Sequence, residues 1–351
     1  MRIAIDCRHT QIYQEGITRT TLLLLDLLKK DVEFHAIFYK NARRIKEIDD
    51  QPSIKKHYLS PTSSKLDWVW ENYSLPALLK RIKPNIYHAP CNAGLPFFKL
   101  DGIKYCVTVH DLLIKHFPAA YKTLGRLKWY IGMQNNIKNA DCIICDSDFT
   151  ENEIKRTFPN KRVITKRVHL ALDNSFISYQ PNLNNINTSK AKFKLDSPYI
   201  VYHGGFRKYK DVSRIVNIFN SIKERYNQPL KLCLIGKTNK EFKSNVLPAI
   251  NTSRFITDIN FTDYINDVDM RTIITGGLIH LYLSKMEGFG FAPLEAMACG
   301  TPSVSLRNSS LIETLDNACY WIQPEESNEI IAQKIISLIS DPDKLKTLSS
   351  L

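Results

Sequence analysis

A chain of 351 residues is long for one hydrophobic core and suits two domains. With 44% hydrophobic and 24% charged residues it has the composition of an ordinary folded protein, which excludes a disordered chain, and no uncharged apolar run is long enough to cross a bilayer. The net charge of +13 is uneven: residues 1–200 carry 31 Lys+Arg against 19 Asp+Glu, which leaves 17 against 16 for the remainder. A basic first half attracts nucleic acid, an anionic membrane surface or a phosphorylated substrate, unless it is simply a solvated basic face. The charged start MRIAIDCRH runs into a strand-like segment instead of a signal peptide, so the expected compartment is the cytoplasm.

In chain order, RIAID, EFHAIFY, NIYHA, KYCVTV and DCIIC read as strands, alternating with helical patterns over 16–30, 67–82 and 125–139. The pattern then fails in the polar, Asn-rich stretch 173–198, the expected linker. It resumes with PYIVYHGG, a helix over 211–226, KLCLIG, RFITDI, GLIHLYLS and NEIIAQKIISLISD. The expectation is an N-terminal domain over 1–172 and a C-terminal domain over 199–351, each a doubly wound parallel sheet. Eight scattered cysteines in apolar runs read as buried thiols. Cys142 and Cys145 have CxxC spacing, but on a strand their side chains point to opposite faces, and no second CxxC completes a zinc site.

Ligands of such sheets bind outside the carboxyl ends of the strands. Four groups fall there: Gly16 at the start of a helix; His110 and Asp111 after YCVTV; Gly204, Gly205, Arg207 and Lys210 after PYIVYH; and Glu287 with its glycines after LYLS. Two domains with sites on facing edges imply a cleft between them. In EGFGFAPLEAMACGTP, Gly288 and Gly290 permit a sharp turn that brings backbone N–H groups close to a ligand. Pro293, Gly300 and Pro302 bound a helix expected from Ala292 to Cys299, whose N-terminus favours an anion such as phosphate. Glu295, placed in its first turn or so, suits a ribose diol, and Glu287 suits hydroxyls beyond the phosphates. The blander readings are a dipole-complementing Glu295 and an ordinary loop charge at Glu287.

Two Asp-x-Asp pairs also invite a metal reading. Asp148 with Glu151, however, fits a helix capping box after Asp146, and Asp267 and Asp269 suit a helix start. His88 and His203 at strand ends read as packed or hydrogen-bonded residues.

The stretch EGFGFAPLEAMACGTPSV resembles the E-x7-E signature of the family 4 retaining glycosyltransferases. GITRTTLLLLDLL, IYHAPCNAGLP, TVHDLLIKHFP and YHGGFRKYKDVSRIV resemble further segments of that family, over about Met1 to Asp341. The resemblance implies an α/β GT-B fold, two Rossmann-like parallel-sheet domains facing each other across a cleft. It implies retaining transfer of a hexose (mannose or glucose class) from a GDP- or UDP-linked donor, with neither cofactor nor metal, in polysaccharide or lipopolysaccharide biosynthesis. Similarity to bacterial polysaccharide mannosyltransferases favours GDP-mannose.

Carried over by position, Glu295 would bind the donor ribose, and Glu287 the sugar hydroxyls with the amides of Gly288, Phe289, Gly290 and Phe291. Lys210 would neutralise the diphosphate. Many members place an arginine immediately before that lysine, where this chain has Tyr209; Arg207 is the expected substitute and Lys208 the alternative. Gly16 and Gly205 would let the backbone approach the donor, and His110, with Asp111 beside it, would flank the reacting carbon and the acceptor. The catalytic set is thus His110, Glu287, Arg207 and Lys210, with no general base assigned.

The acceptor expected is a glycan or a lipid-linked saccharide, and the basic segment around Trp129 and Tyr130 suggests a peripheral contact with an anionic membrane. Nucleic acid is not an expected partner. Members usually continue past the equivalent of DPDKLKTLSSL with a helix that crosses back onto the first domain, so the expectation is either a truncated second domain or two domains less firmly tied together. A sugar-nucleotide epimerase or hydrolase on the same fold and a basic nucleic-acid-binding protein are the alternatives.

Overall fold

In Tyr199–His203 successive side chains pack on opposite faces: Ile200 and Tyr202 join one core cluster, Tyr199 and Val201 another. A strand covered on both sides must be apolar throughout, which is why YIVYH shows no polar alternation. The computed structural model describes the chain apart from residues 12–15, 29–30, 41–47, 49, 61–65, 160–162 and 351. It separates into two units, Met1–Ala171 and Leu172–Leu351.

The first unit holds β1 (Arg2–Asp6), β2 (Glu33–Tyr39), β3 (Lys55–Leu59), β4 (Ile86–Ala89), β5 (Lys104–Val109), β6 (Cys142–Cys145) and β7 (Ile164–Arg167). Their order is β3-β2-β1-β4-β5-β6-β7, with every pairing parallel. Ala4 of β1 faces a cluster with Trp70, Leu79, Tyr105 and Met133, while Ile3 and Ile5 face Leu25 and Phe34. The helix expected over 16–30 spans Gly16–Leu28, and its last two expected residues lie outside the described ones. Within the pattern expected over 67–82, Trp70–Ser74 is wound as a π-turn before the helix Leu75–Ile82.

The second unit holds β8 (Tyr199–His203), β9 (Lys231–Ile235), β10 (Ile259–Phe261), β11 (Ile279–Tyr282), β12 (Ser303–Leu306) and β13 (Tyr320–Ile322). The order is β10-β9-β8-β11-β12-β13, again all parallel. Helices Val212–Lys223 and Asn328–Ile339 bury Ile215, Phe219, Ile331 and Ile335 on one face of this sheet.

The stretch expected as a linker folds into helices Asn174–Ile177 and Leu183–Lys192 and falls within the second unit. Phe176 and Leu195 are the reason: both are buried beside Tyr199, Val201 and Ile273. RFITDI forms a 3-10 turn, Ile256–Asp258, and the strand begins only at Ile259. The eight cysteines are all free. Cys145 points into the core of the first unit, and burial pushes its thiol up to about 12. Cys142 instead meets Cys106, its partner on β5. Among the described residues, no helix is long and apolar enough to cross a membrane.

Candidate functional site

In the second unit the carboxyl ends of β8 and β11 are adjacent, and the loops that follow them interlock. The 3-10 turn Lys208–Lys210 is tied down by Lys285 N–H donating to the Tyr209 carbonyl at 2.8 Å. This carries Lys210 to Glu287: Lys210 Nζ donates to Glu287 Oε1 at 2.6 Å and to the Tyr282 hydroxyl at 2.6 Å, and Tyr282 donates to the same Glu287 oxygen at 2.8 Å. Glu287 is 8% exposed, so the pair is desolvated, and desolvated pairs break at high cost when one partner is removed. Burial pushes the Tyr282 phenol well above its usual range, and the Glu287 charge adds to that.

The Glu287 loop is fixed from behind by serines and a threonine. Glu287 N–H donates to Ser309 Oγ at 3.0 Å, Ser310 Oγ donates to the Glu287 carbonyl at 2.9 Å, and Thr314 Oγ1 donates to the Phe289 carbonyl at 3.0 Å. Gly290 caps the following helix at φ +98°, and a Cβ there would meet Leu311 Cδ2 at 2.4 Å, so both conformation and space require glycine.

The helix runs Phe291–Ala298, one residue earlier at each end than expected. It closes on Gly300, at φ +78°, in a Schellman arrangement: Thr301 N–H donates to the Ala296 carbonyl at 3.0 Å and Gly300 N–H to that of Met297 at 2.9 Å. Glu295 is its fifth residue and lies beyond the first turn, which corrects the expected placement. Its partner is His203 at the end of β8, with Nε2 at 2.8 Å from Glu295 Oε2. Arg207 and Lys208 both line a cavity of about 260 Å³ with Phe206, Asp211, Ser244 and Lys285. Gly205 borders open space: a Cβ built there meets nothing within 4 Å.

In the first unit Gly16 opens its helix, and the loop before it lies outside the described residues. His110, at the end of β5, has both ring nitrogens engaged: Nδ1 at 2.6 Å from Asp146 Oδ2 and Nε2 at 2.8 Å from the Pro90 carbonyl. A carbonyl only accepts, as does an ionised carboxylate, so both nitrogens donate and the ring is an imidazolium. Burial alone lowers such a pKa, but the Asp146 charge and hydrogen bond outweigh it and push His110 up to about 9. Asp111 Oδ1 accepts from Leu113 N–H at 3.0 Å and so shapes the turn after β5.

Two family models match the chain. The description "Glycosyltransferase Family 4" covers residues 15–170 and "Glycosyl transferases group 1" covers 185–350. The chain belongs to glycosyltransferase family 4.

The O-antigen chain mannosyltransferase B of Escherichia coli is 27% identical to this glycosyltransferase over 75% of the chain and 68% of that protein. The alpha-1,3/1,6-mannosyltransferase ALG2 of Saccharomyces cerevisiae is 22% identical over 72% of the chain and 58% of that protein. The match thus leaves a third or more of some relatives outside it. Among solved structures, the sucrose-phosphate synthase of Thermosynechococcus elongatus has a TM-score of 0.75 at 18% identity, covering 99% of this chain and 92% of that one. Anabaena HepE in complex with UDP-glucose has a TM-score of 0.75 at 14% identity, covering 100% and 93%. These likenesses show the fold, that of the GT-B glycosyltransferases.

Within the glycosyltransferase, the structure brings Lys210 to Glu287 and places Glu295 on the adjoining helix. The Asp-x-Asp pairs fall in separate elements. Asp146 orients His110, Asp148 pairs with Arg167 at 3.0 Å, and Asp269 pairs with Lys192 at 2.7 Å. The cap expected from Asp148 is made by Ser147, which accepts from Thr150 N–H. Sequence reasoning missed Tyr282 and Ser309 and set His203 aside. The signal for His203 and Tyr282 was their position as the last residues of β8 and β11.

Proposed function

We propose that the second unit holds the nucleotide-sugar donor and the first receives the acceptor, for retaining transfer of a mannose- or glucose-class hexose onto a glycan or lipid-linked saccharide in polysaccharide biosynthesis. The observation that carries this reading is the Lys210–Tyr282–Glu287 triangle, one cation and one carboxylate on the ligand-binding edge of a parallel sheet. Lys210 has three N–H groups, two of them used in the triangle, so the third is available to a diphosphate oxygen. Glu287 takes both of its bonds on Oε1, which leaves Oε2 for hexose hydroxyls.

Cleavage of the anomeric carbon–oxygen bond leaves negative charge on the diphosphate. Lys210, Arg207 and the amides of Gly288, Phe289, Gly290 and Phe291 at the helix N-terminus stabilise that charge as it develops. Because side chains and amides supply this stabilisation, the reaction is proposed to need no metal. Glu295, oriented by His203, takes the ribose diol, and Gly205 lets the backbone approach the donor. In the first unit Gly16 serves the same purpose, with His110 and Asp111 beside the acceptor. His110 contributes positive charge and does not abstract a proton, since both nitrogens already carry one. The departing phosphate oxygen takes the proton of the acceptor hydroxyl.

The mannosyltransferase relatives support GDP-mannose as donor, with a UDP-linked hexose as the second choice. The excess of Lys+Arg in residues 1–200 supports a lipid-linked acceptor met at the cytoplasmic, anionic face of a membrane. The test is an assay of the purified protein with GDP-mannose, UDP-glucose and other common nucleotide sugars against lipid-linked and soluble saccharides. Sugar transfer that is lost in Glu287→Gln supports the reading. Turnover of the nucleotide sugar at full rate without any acceptor, or none with any donor, contradicts it.

A further inference from the structure

Helix Thr123–Asn139 is the crossover from β5 to β6, and its two halves are treated very differently by the fold. The C-terminal half is anchored. Met133 and Ile137 are core residues, Asn135 Nδ2 donates to the Leu95 carbonyl at 2.7 Å, and Asn136 Nδ2 donates to that of Asn92 at 2.7 Å. The N-terminal half stands clear: every residue from Lys122 to Lys128 is exposed, and so are Tyr130 and Ile131, with Trp129 as the sole partial anchor in between.

Leu124, Leu127 and Ile131 share a face at helical spacing, with Tyr130 beside them, and are 65%, 55%, 45% and 53% exposed in the order Leu124, Leu127, Ile131, Tyr130. Four large apolar side chains on two open turns form a patch of the kind that marks an interaction surface.

The charge pattern selects the occupant. Between Asp111 and Asp141 there is no carboxylate, while Lys115, Lys122, Arg126, Lys128 and Lys138 contribute five positive charges. Lys122, Arg126 and Lys128 make no side-chain ion pair among the described residues. A second copy of this face would bring like charges together and is disfavoured. Apolar side chains flanked by uncompensated Lys and Arg on one helix fit acyl chains beneath anionic headgroups.

We propose that the free N-terminal half of this helix lies in the surface of an anionic bilayer, through Leu124, Leu127, Tyr130 and Ile131, with Lys122, Arg126 and Lys128 on the headgroups. The helix follows the carboxyl end of β5, so the docked surface is on the same sheet edge as His110 and Asp111. A lipid-linked acceptor is then delivered to the acceptor edge of the first unit. The placement rests on the acceptor reading given above, but the surface itself is tested independently of it.

The experiment is flotation of the intact protein with vesicles containing phosphatidylglycerol and with vesicles of phosphatidylcholine alone, at low and high salt. The expected result is binding to the first only, reversed by salt and weakened about tenfold or more in both Leu127→Glu/Ile131→Glu and Arg126→Glu/Lys128→Glu. Both double variants alter exposed residues, and unchanged circular dichroism and unchanged nucleoside-diphosphate binding confirm that each is folded. Wild-type binding to neither vesicle, equal binding by wild type and the apolar variant, or a stable dimer that buries this helix would overturn the proposal. Loss of nucleotide binding in the wild type would instead remove the donor reading and leave the flotation result to stand by itself.

Discussion

Lys210 and Glu287 are 77 positions apart in the chain, yet the ammonium and the carboxylate are in contact at 2.6 Å, with Tyr282 closing the triangle. The Tyr282 hydroxyl also accepts from Lys210 Nζ at 2.6 Å, so each of the three side chains touches the other two.

Each member of the pair has a separable effect. Lys210→Ala removes the charge proposed to face the departing diphosphate and leaves the buried Glu287 carboxylate without its cation. Transfer is expected to fall by roughly 100- to 1000-fold, mostly in kcat. Glu287→Gln keeps the shape and loses the charge, so sugar transfer falls steeply while the bare nucleoside diphosphate still binds. Steady-state kinetics together with calorimetric titration of the nucleotide separate the two.

His203 touches Glu295, so in the proposed donor site it would act on the donor through that carboxylate and not directly. His203→Ala releases the Glu295 carboxylate from its 2.8 Å partner, so the expected change is a raised KM for the donor with kcat largely kept. A fall in kcat at unchanged KM would assign His203 a different role.

Gly290 is constrained by both conformation and space. Gly290→Ala places a Cβ against Leu311 at φ +98°, and a loss of about 1–3 kcal/mol is expected in urea unfolding. The double variant Gly290→Ala/Leu311→Ala removes the collision but not the unfavourable φ, and it also opens a cavity, so stability should recover only in part.

His110 and Asp146 set a pH signature. The His110 pKa is raised from 6.5 to about 9, so its contribution, on the order of 3 kcal/mol, is complete below about pH 6.5 and is lost as pH rises through 9. Asp146→Asn should flatten stability against pH in that window, because burial then keeps the ring neutral. Chemical denaturation at several pH values between 6 and 10 measures it; an unchanged slope would contradict the imidazolium assignment.

The interior of both sheets was legible because strands covered on two faces carry uninterrupted apolar runs, as in YIVYH and KLCLI. Strands at or near the edges were not. KKHYL of β3 is paired on one side only and is largely polar, and ITKR of β7 is mostly exposed. SVSL of β12 is fully buried yet half serine, and its hydroxyls find partners inside the sheet: Ser303 Oγ lies 3.3 Å from His280 Nδ1 and 3.4 Å from Ser305 Oγ. The site was legible where local chemistry demanded it: two glycines, a proline and two carboxylates in one loop and helix. Tyr282, Ser309 and the Asp146–His110 pair were not legible, since their contacts join residues distant in sequence and arise only once the sheets have formed.

The most direct test of the account is a crystal structure with a nucleoside-diphosphate hexose bound. The account predicts diphosphate oxygens within hydrogen-bond reach of Lys210 Nζ and hexose hydroxyls on Glu287. A well-ordered nucleotide sugar seated elsewhere, with the Lys210–Glu287 pair untouched, would contradict it.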